Sequence, residues 1–156
     1  MKFEWMKRPE RMIPCRVNYK GEPQDLLLHH LTGADTDEID RLYPPVLAPV
    51  VIGEDGKPVK GADGLPLRDT TDLGYLAADQ ARTLNRAAHL AVLALGHEHF
   101  EARELEEQKR ELRRPGDGFN DIAVFTIAAT VYQAAQMTPA VLEAAKDGVR
   151  PTESAG

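Results

Sequence analysis

The run Ile122-Ala123-Val124-Phe125-Thr126-Ile127-Ala128-Ala129-Thr130-Val131-Tyr132 decides the fold. It opens a stretch of 21 residues, Ile122 to Leu142, with no charged side chain, in a chain that is 28% charged. Its apolar residues fall nearly all round a helix, so other helices or a partner must enclose it. The stretch is long enough to test as a membrane span. Gln133, Gln136, Thr138 and Pro139 argue against that, since Thr138-Pro139 reads as a new helix start and polar groups in lipid are costly.

Upstream, Glu98 to Arg114 is among the most charged stretches. Its propensity and pairs such as Glu106 with Arg110 predict an exposed helix resting on Leu105 and Leu112. Pro115-Gly116-Asp117-Gly118 stops it, and the uncharged helix starts at Phe119 or Asn120 and runs to about Gln136. A short helix follows, with Thr138 as N-cap, Pro139 in its first turn and Gly148 past its end. Before Gly96, which ends or kinks a helix, Ala77, Ala81, Leu84, Ala88, Ala91 and Leu95 recur at spacings of four and three. That stripe of small residues predicts close helix packing.

The first 43 residues read differently. Met12 to Tyr19 alternates weakly, Lys20-Gly21-Glu22-Pro23 is a turn, and Asp25 to Leu31 returns as a second strand of a hairpin. Pro14 confines the first strand to an edge. Thr32-Gly33-Ala34-Asp35 starts a short helix anchored by Ile39 and Leu42, which Pro44-Pro45 ends. Residues 44–72 form a long loop rich in proline and glycine, with Val50-Val51-Ile52 set against Val59-Lys60, and no internal repeat stands out. The expected fold is α+β, mainly α. It has a small N-terminal β-hairpin with a short helix (1–43), the long Pro/Gly-rich loop (44–72) and a C-terminal bundle of three to four helices (73–148). These make a single domain over residues 1–148, followed by a disordered tail, 149–156.

Composition narrows the function classes. The length suits one domain, and a net charge of −6 argues against a nucleic-acid surface beyond the small group Lys7, Arg8, Arg11 and Arg16 with Trp5 and Tyr19. The single cysteine, Cys15, forms no internal disulfide, which favours an intracellular, cytoplasmic site. Pro9-Glu10-Arg11, in place of an apolar stretch, argues against a signal peptide. His97 and His99 stand two apart, where a helical zinc motif needs four, and no third ligand offers itself. The carboxylates between 98 and 114 alternate with Arg and Lys as a solvated face, and Gly61-Ala62-Asp63-Gly64 lacks the lysine of a phosphate loop. Cys15 beside Arg16 has no catalytic histidine. No catalytic residue, metal site or cofactor is expected. Apolar bulk is what the chain offers a partner, and Leu84, Leu95, Phe119, Ile122, Phe125 and Tyr132 are its candidate fold or interface positions.

The order of zones resembles the tail assembly chaperones of long-tailed bacteriophages. The residues that carry the resemblance are the β opening, then Leu31-Thr32-Gly33-Ala34-Asp35-Thr36-Asp37-Glu38-Ile39-Asp40-Arg41-Leu42-Tyr43-Pro44-Pro45, and a variable proline-containing loop. Tyr75-Leu76-Ala77-Ala78 then opens a helix with Arg82, Asn85 and Arg86 ahead of an Ala/Leu finish. The match covers about residues 10 to 96. It implies a non-enzymatic protein that holds the tape measure protein in solution and recruits tail tube protein to it, with self-association left open.

Overall fold

The uncharged run folds as α4, Asp121–Gln136, in a computed structural model whose described residues are Met12–Met137. Asn120 caps it, its side chain accepting from the Ala123 amide at 2.8 Å, because the first amides of a helix lack internal partners. Ala123, Val124, Ile127, Ala128, Val131 and Ala134 are buried and lie within about 140° of one another, so the helix packs on one side and leaves Ile122 and Phe125 exposed on the other, not enclosed all round as its apolar pattern suggested. The short helix read from Thr138 to Gly148, the tail 149–156 and the basic group at Lys7, Arg8 and Arg11 lie outside the described residues.

Two antiparallel strands, β1 (Met12–Tyr19) and β2 (Glu22–His29), form the expected hairpin. Its turn is tighter than Lys20 to Pro23. Lys20 and Gly21 alone take positive φ, 52° and 82°, so Tyr19 pairs with Glu22 and β2 starts at Glu22, not at Asp25. Counting in twos from that pair, Pro14 and Pro23 fall where the backbone nitrogen points away from the partner strand. A missing N–H costs the ladder nothing there, and it blunts both free edges. Ile13, Cys15 and Val17 with Leu26 and Leu28 make the buried face, while Arg16 and Asp25 pair on the other at 2.7 Å.

Helix α1, Gly33–Leu42, opens with a reciprocal cap: Thr32 Oγ1 accepts from the Asp35 amide, and the Thr32 amide donates to Asp35 Oδ2. Thr36 and Ile39 are buried, but Leu42, the last residue of the helix, is 46% exposed and does not anchor it.

The loop after Pro45 is more ordered than its composition suggests. Val51-Ile52-Gly53-Glu54-Asp55-Gly56-Lys57-Pro58 is followed in register by Val59-Lys60-Gly61-Ala62-Asp63-Gly64-Leu65-Pro66, and a third arm begins at Leu67. This is an internal repeat that the reading of the sequence missed. The backbone closes it into a ring: Val51 N–H donates to Leu67 C=O (2.8 Å), Leu67 to Val59 (2.7 Å) and Val59 to Val51 (2.9 Å). The expected pairing of 50–52 with 59–60 is therefore one side of a three-way arrangement, not a hairpin. Gly56 and Gly64 hold φ of 75° and 79° at the two tips, where glycine alone is unstrained.

Asp72 caps α2, Leu73–Leu95, and Gly96 at φ 101° ends it. Residues 87–92 are buried on every side, but Ala77 and Ala81 are exposed and Leu84 is half-buried, so only the second half of the alanine stripe packs. The charged stretch 98–114 is not one helix. His97–His99 is a single 3-10 turn, Phe100 is buried, and α3 spans only Leu105–Leu112. Long-range side-chain bonds outweigh propensity there. The Gln108 amide reaches the carbonyl of Ala102 at 3.0 Å, and the Glu111 carboxylate accepts from the amides of Glu101 and Ala102. Far from lying exposed, α3 buries Gln108, Lys109 and Leu112, and its ion pairs run Lys109–Glu106 and Arg110–Glu107. A Cβ on Gly118 would run into the Leu112 carbonyl, which fixes glycine where the chain turns into α4. One contiguous core joins strands and helices.

Candidate partner-binding face

Helix geometry puts successive residues 100° apart, so Leu73, Ala77, Leu84, Ala88, Ala91 and Leu95 lie within about 60° of one another. Asp79, Arg82, Arg86 and His89 fall on the opposite side. Where α2 is buried, that division has no outward consequence. Between Leu73 and Asn85 it is inverted relative to an ordinary amphipathic helix: the polar side lies against the protein and the apolar side faces water. Arg82 Nε donates to the Tyr43 carbonyl at 3.0 Å, and Arg86 pairs with Asp40 at 2.9 Å. On the open side Leu73 is 82% exposed and Leu76 is 46% exposed, with Ala77, Ala78, Gln80 and Ala81 around them. From Leu73 to Asn85 the only charged residues are Asp79 and Arg82, both on the supported side.

Helix α4 leaves this face open because of its direction. The Arg86 guanidinium sits 4.7 Å above the Tyr132 ring, whose hydroxyl donates to Asp40, so mid-α2 meets the last turns of α4. A parallel α4 would then cover residues 77–85, which are open. The two helices therefore run antiparallel, and α2 projects past the end of α4.

The named candidates divide accordingly. Leu95 is 1% exposed and Phe119 is 3% exposed, its ring centroid 5.2 Å from that of Tyr19; both belong to the core. Leu84 and Tyr132 are half-buried, Leu84 on the stripe where exposed and buried halves meet and Tyr132 in the bridge that fixes α4 on α2. Ile122, 78% exposed, and Phe125 stand on the outer face at the start of α4, away from the open face of α2. The structure brings none of these into one site. Leu73 and Leu76 were missed as surface positions. The signal for them was available, since charge is absent from one face of the helix over three turns.

Behind the supported side lies a polar chain. Lys109 Nζ donates to Tyr43 Oη at 2.6 Å and to Glu106 at 2.8 Å, and Tyr43 Oη lies 3.1 Å from His89 Nδ1. An ammonium only donates, so the tyrosine hydroxyl must pass its own hydrogen to His89, whose Nδ1 is left as acceptor. Burial, helped by the nearby Lys109 and His97 charges against Glu106, holds the His89 pKa down at about 4. For Lys109 burial works against the charge, yet the hydrogen bonds to Glu106 and Tyr43 outweigh it and raise its pKa. Every member is occupied with its neighbours, which makes the chain a clamp between α1, α2 and α3.

His97 Nδ1 lies 2.7 Å from Gln108 Oε1, while His29 and His99 both approach Glu98, at 3.7 and 3.4 Å. Among the described residues no group of three or more His, Cys, Asp or Glu side chains is placed to hold a metal ion, and no helix is long and apolar enough to cross a membrane. Cys15 is buried against the Thr130 hydroxyl; burial raises its pKa, and that contact opposes the rise. Arg16, which would have lowered it, is engaged with Asp25.

No protein-family model, curated protein or solved structure matches this chain significantly.

Proposed function

We propose that this protein is a non-enzymatic assembly chaperone, which covers apolar helices of a partner and keeps them in solution until they are used. The observation that carries the reading is the inverted half of α2, an uncharged apolar surface held open to water by polar anchors on its other side. Leaving Leu73 and Leu76 exposed forgoes about 25 cal/mol for each Å² of apolar area, and binding a partner is what recovers it. The resemblance to phage tail assembly chaperones supplies the identity of the partners: the tape measure protein as the helical client and tail tube protein as the recruited subunit, in the cytoplasm of the infected cell. Ile122 and Phe125, remote from the α2 face, are suited to the second contact.

Co-expression tests it. A tape measure fragment produced with the wild-type chain should stay soluble and co-purify, and the double variant Leu73→Asp, Leu76→Asp should lose most of that recovery while folding normally. Equal recovery with both proteins removes the α2 face from the mechanism. Mass spectrometry of purified particles separates a chaperone, which is absent from them, from a minor connector retained in the tail.

A further inference from the structure

We infer that α3, with the turn and link that lead into it (residues 97–114), is a flap that acid loosens from α2 by placing a proton on His89. The packing divides the chain that way. Helix α4 packs on α2 and on both strands, and β2 packs on α2, so the hairpin, α2 and α4 make a body that does not rely on α3. Helix α3 packs on α2 and otherwise bonds within its own segment, Gln108 to His97 and the Ala102 carbonyl, Glu111 to the amides of Glu101 and Ala102. Segments bonded in this way open as units while the rest of a fold persists. Phe100 and Leu112 seal the flap, and the Phe119 amide tethers its end to the start of α4 through the Leu112 carbonyl.

Lys109 is its buried polar tie. That side chain is 7% exposed, its ammonium donates to Tyr43 Oη at 2.6 Å, and Tyr43 passes its own hydrogen to His89 Nδ1 at 3.1 Å. A proton on Nδ1 removes the acceptor at the end of this chain. The tyrosine oxygen then faces an ammonium and an imidazolium, and its own hydrogen has nowhere to go. Two buried cations on one oxygen repel, and low-dielectric surroundings strengthen the repulsion. Glu106 is the anion that acts on His89, but its side chain is 68% exposed, while Lys109 and His97 both oppose a proton there. From α1 comes Asp40, already held by Arg86 of α2 and by Tyr132 of α4, and Arg82 is engaged with the Tyr43 carbonyl. Lifting α3 carries Lys109 into water and lets His89 take its proton as an ordinary histidine does. Opening is therefore favoured by up to about tenfold for each pH unit from about 6.5 down to about 4, where the closed form also accepts the proton. This device needs no partner, so it stands apart from the function proposed above.

Hydrogen exchange of the full chain, followed amide by amide between about pH 6 and pH 4.5 at several low urea concentrations, tests it. Complete unfolding frees the same proton, so urea dependence, which scales with the surface exposed, tells the two events apart. Amides from Gln108 to Leu112 should lose protection by up to about tenfold per pH unit with little dependence on urea. Those from Val124 to Val131 should stay better protected and respond steeply to urea. His89→Gln should flatten the pH dependence in α3. Lys109→Met, which frees the Tyr43 oxygen to accept from a protonated His89, should reduce it. Equal protection and equal urea dependence in α3 and α4 would mean that α3 leaves only with the whole fold, and that overturns the inference. So does a pH dependence in α3 that both variants keep. Neither result alters the outcome of the co-expression test.

Discussion

At the residue scale His89 is the most consequential titratable group. It is buried, it accepts from Tyr43, and its surroundings hold its pKa at about 4 against an ordinary 6.5. The folded state therefore refuses a proton that the unfolded chain takes up readily below pH 6.5. Linkage makes stability fall as pH drops from about 6.5 to about 4, by roughly 3 kcal/mol in all at 1.36 kcal/mol per unit, and this group adds no further loss below that. The depressed carboxylates Glu38, Asp69 and Glu106 act at lower pH, since their stabilisation persists until they protonate. Urea titrations at several pH values between 4.5 and 7 should show the slope in the wild type and a much flatter line in His89→Gln. An equal slope in both would place the acid sensitivity elsewhere. Nothing in the sequence announced this residue, because the groups that surround it come from positions 43, 97, 106 and 109.

At the element scale the three-armed loop offers the sharpest check. Its arms are too short to hold as strands and its side chains are largely exposed, so an ordinary loop would exchange its amide protons quickly. Here the amides of Val51, Val59 and Leu67 close a ring, each bonded to the carbonyl of another arm. Breaking one bond loosens the geometry of the other two. Hydrogen exchange should show these three amides protected to a similar degree and well above those of Glu54 and Ala62 at the tips. Gly64→Val, which forces a β-branched residue to φ near 79°, should release all three together. Independent exchange would mean that the ring is not cooperative. The eight-residue repeat is plain once Asp55-Gly56 is aligned with Asp63-Gly64, yet separate turn signals describe the same residues, and only the closure by Leu67 distinguishes the two. Local chemistry was a better guide elsewhere: Thr32 with Asp35 marked the start of α1, Asn120 the start of α4 and Gly96 the end of α2. It failed for 98–114, where helix propensity lost to Gln108 and Glu111 reaching back to the backbone.

At the scale of the whole molecule, periodicity located the stripe on α2, but what covers a stripe is decided by the length and direction of other helices. Ala77 and Ala91 have the same side chain on the same face of the same helix. Ala91 is sealed against the core, and Ala77 lies past the end of α4. Replacing each by leucine separates them. In the core the three added carbons have no space, and overpacking of this kind costs about 1–3 kcal/mol through displaced rotamers and backbone. On the open face the same carbons meet water, and leucine propagates a helix nearly as well as alanine, so stability should change by less than about 0.5 kcal/mol. Urea denaturation at a concentration that keeps the protein monomeric should resolve the two variants. Ala91→Leu should shift the midpoint down and leave Ala77→Leu beside the wild type. A comparable loss in both would mean that residues 73–85 are packed within one chain, and an apolar surface kept open for a partner would no longer be available to explain what the protein does.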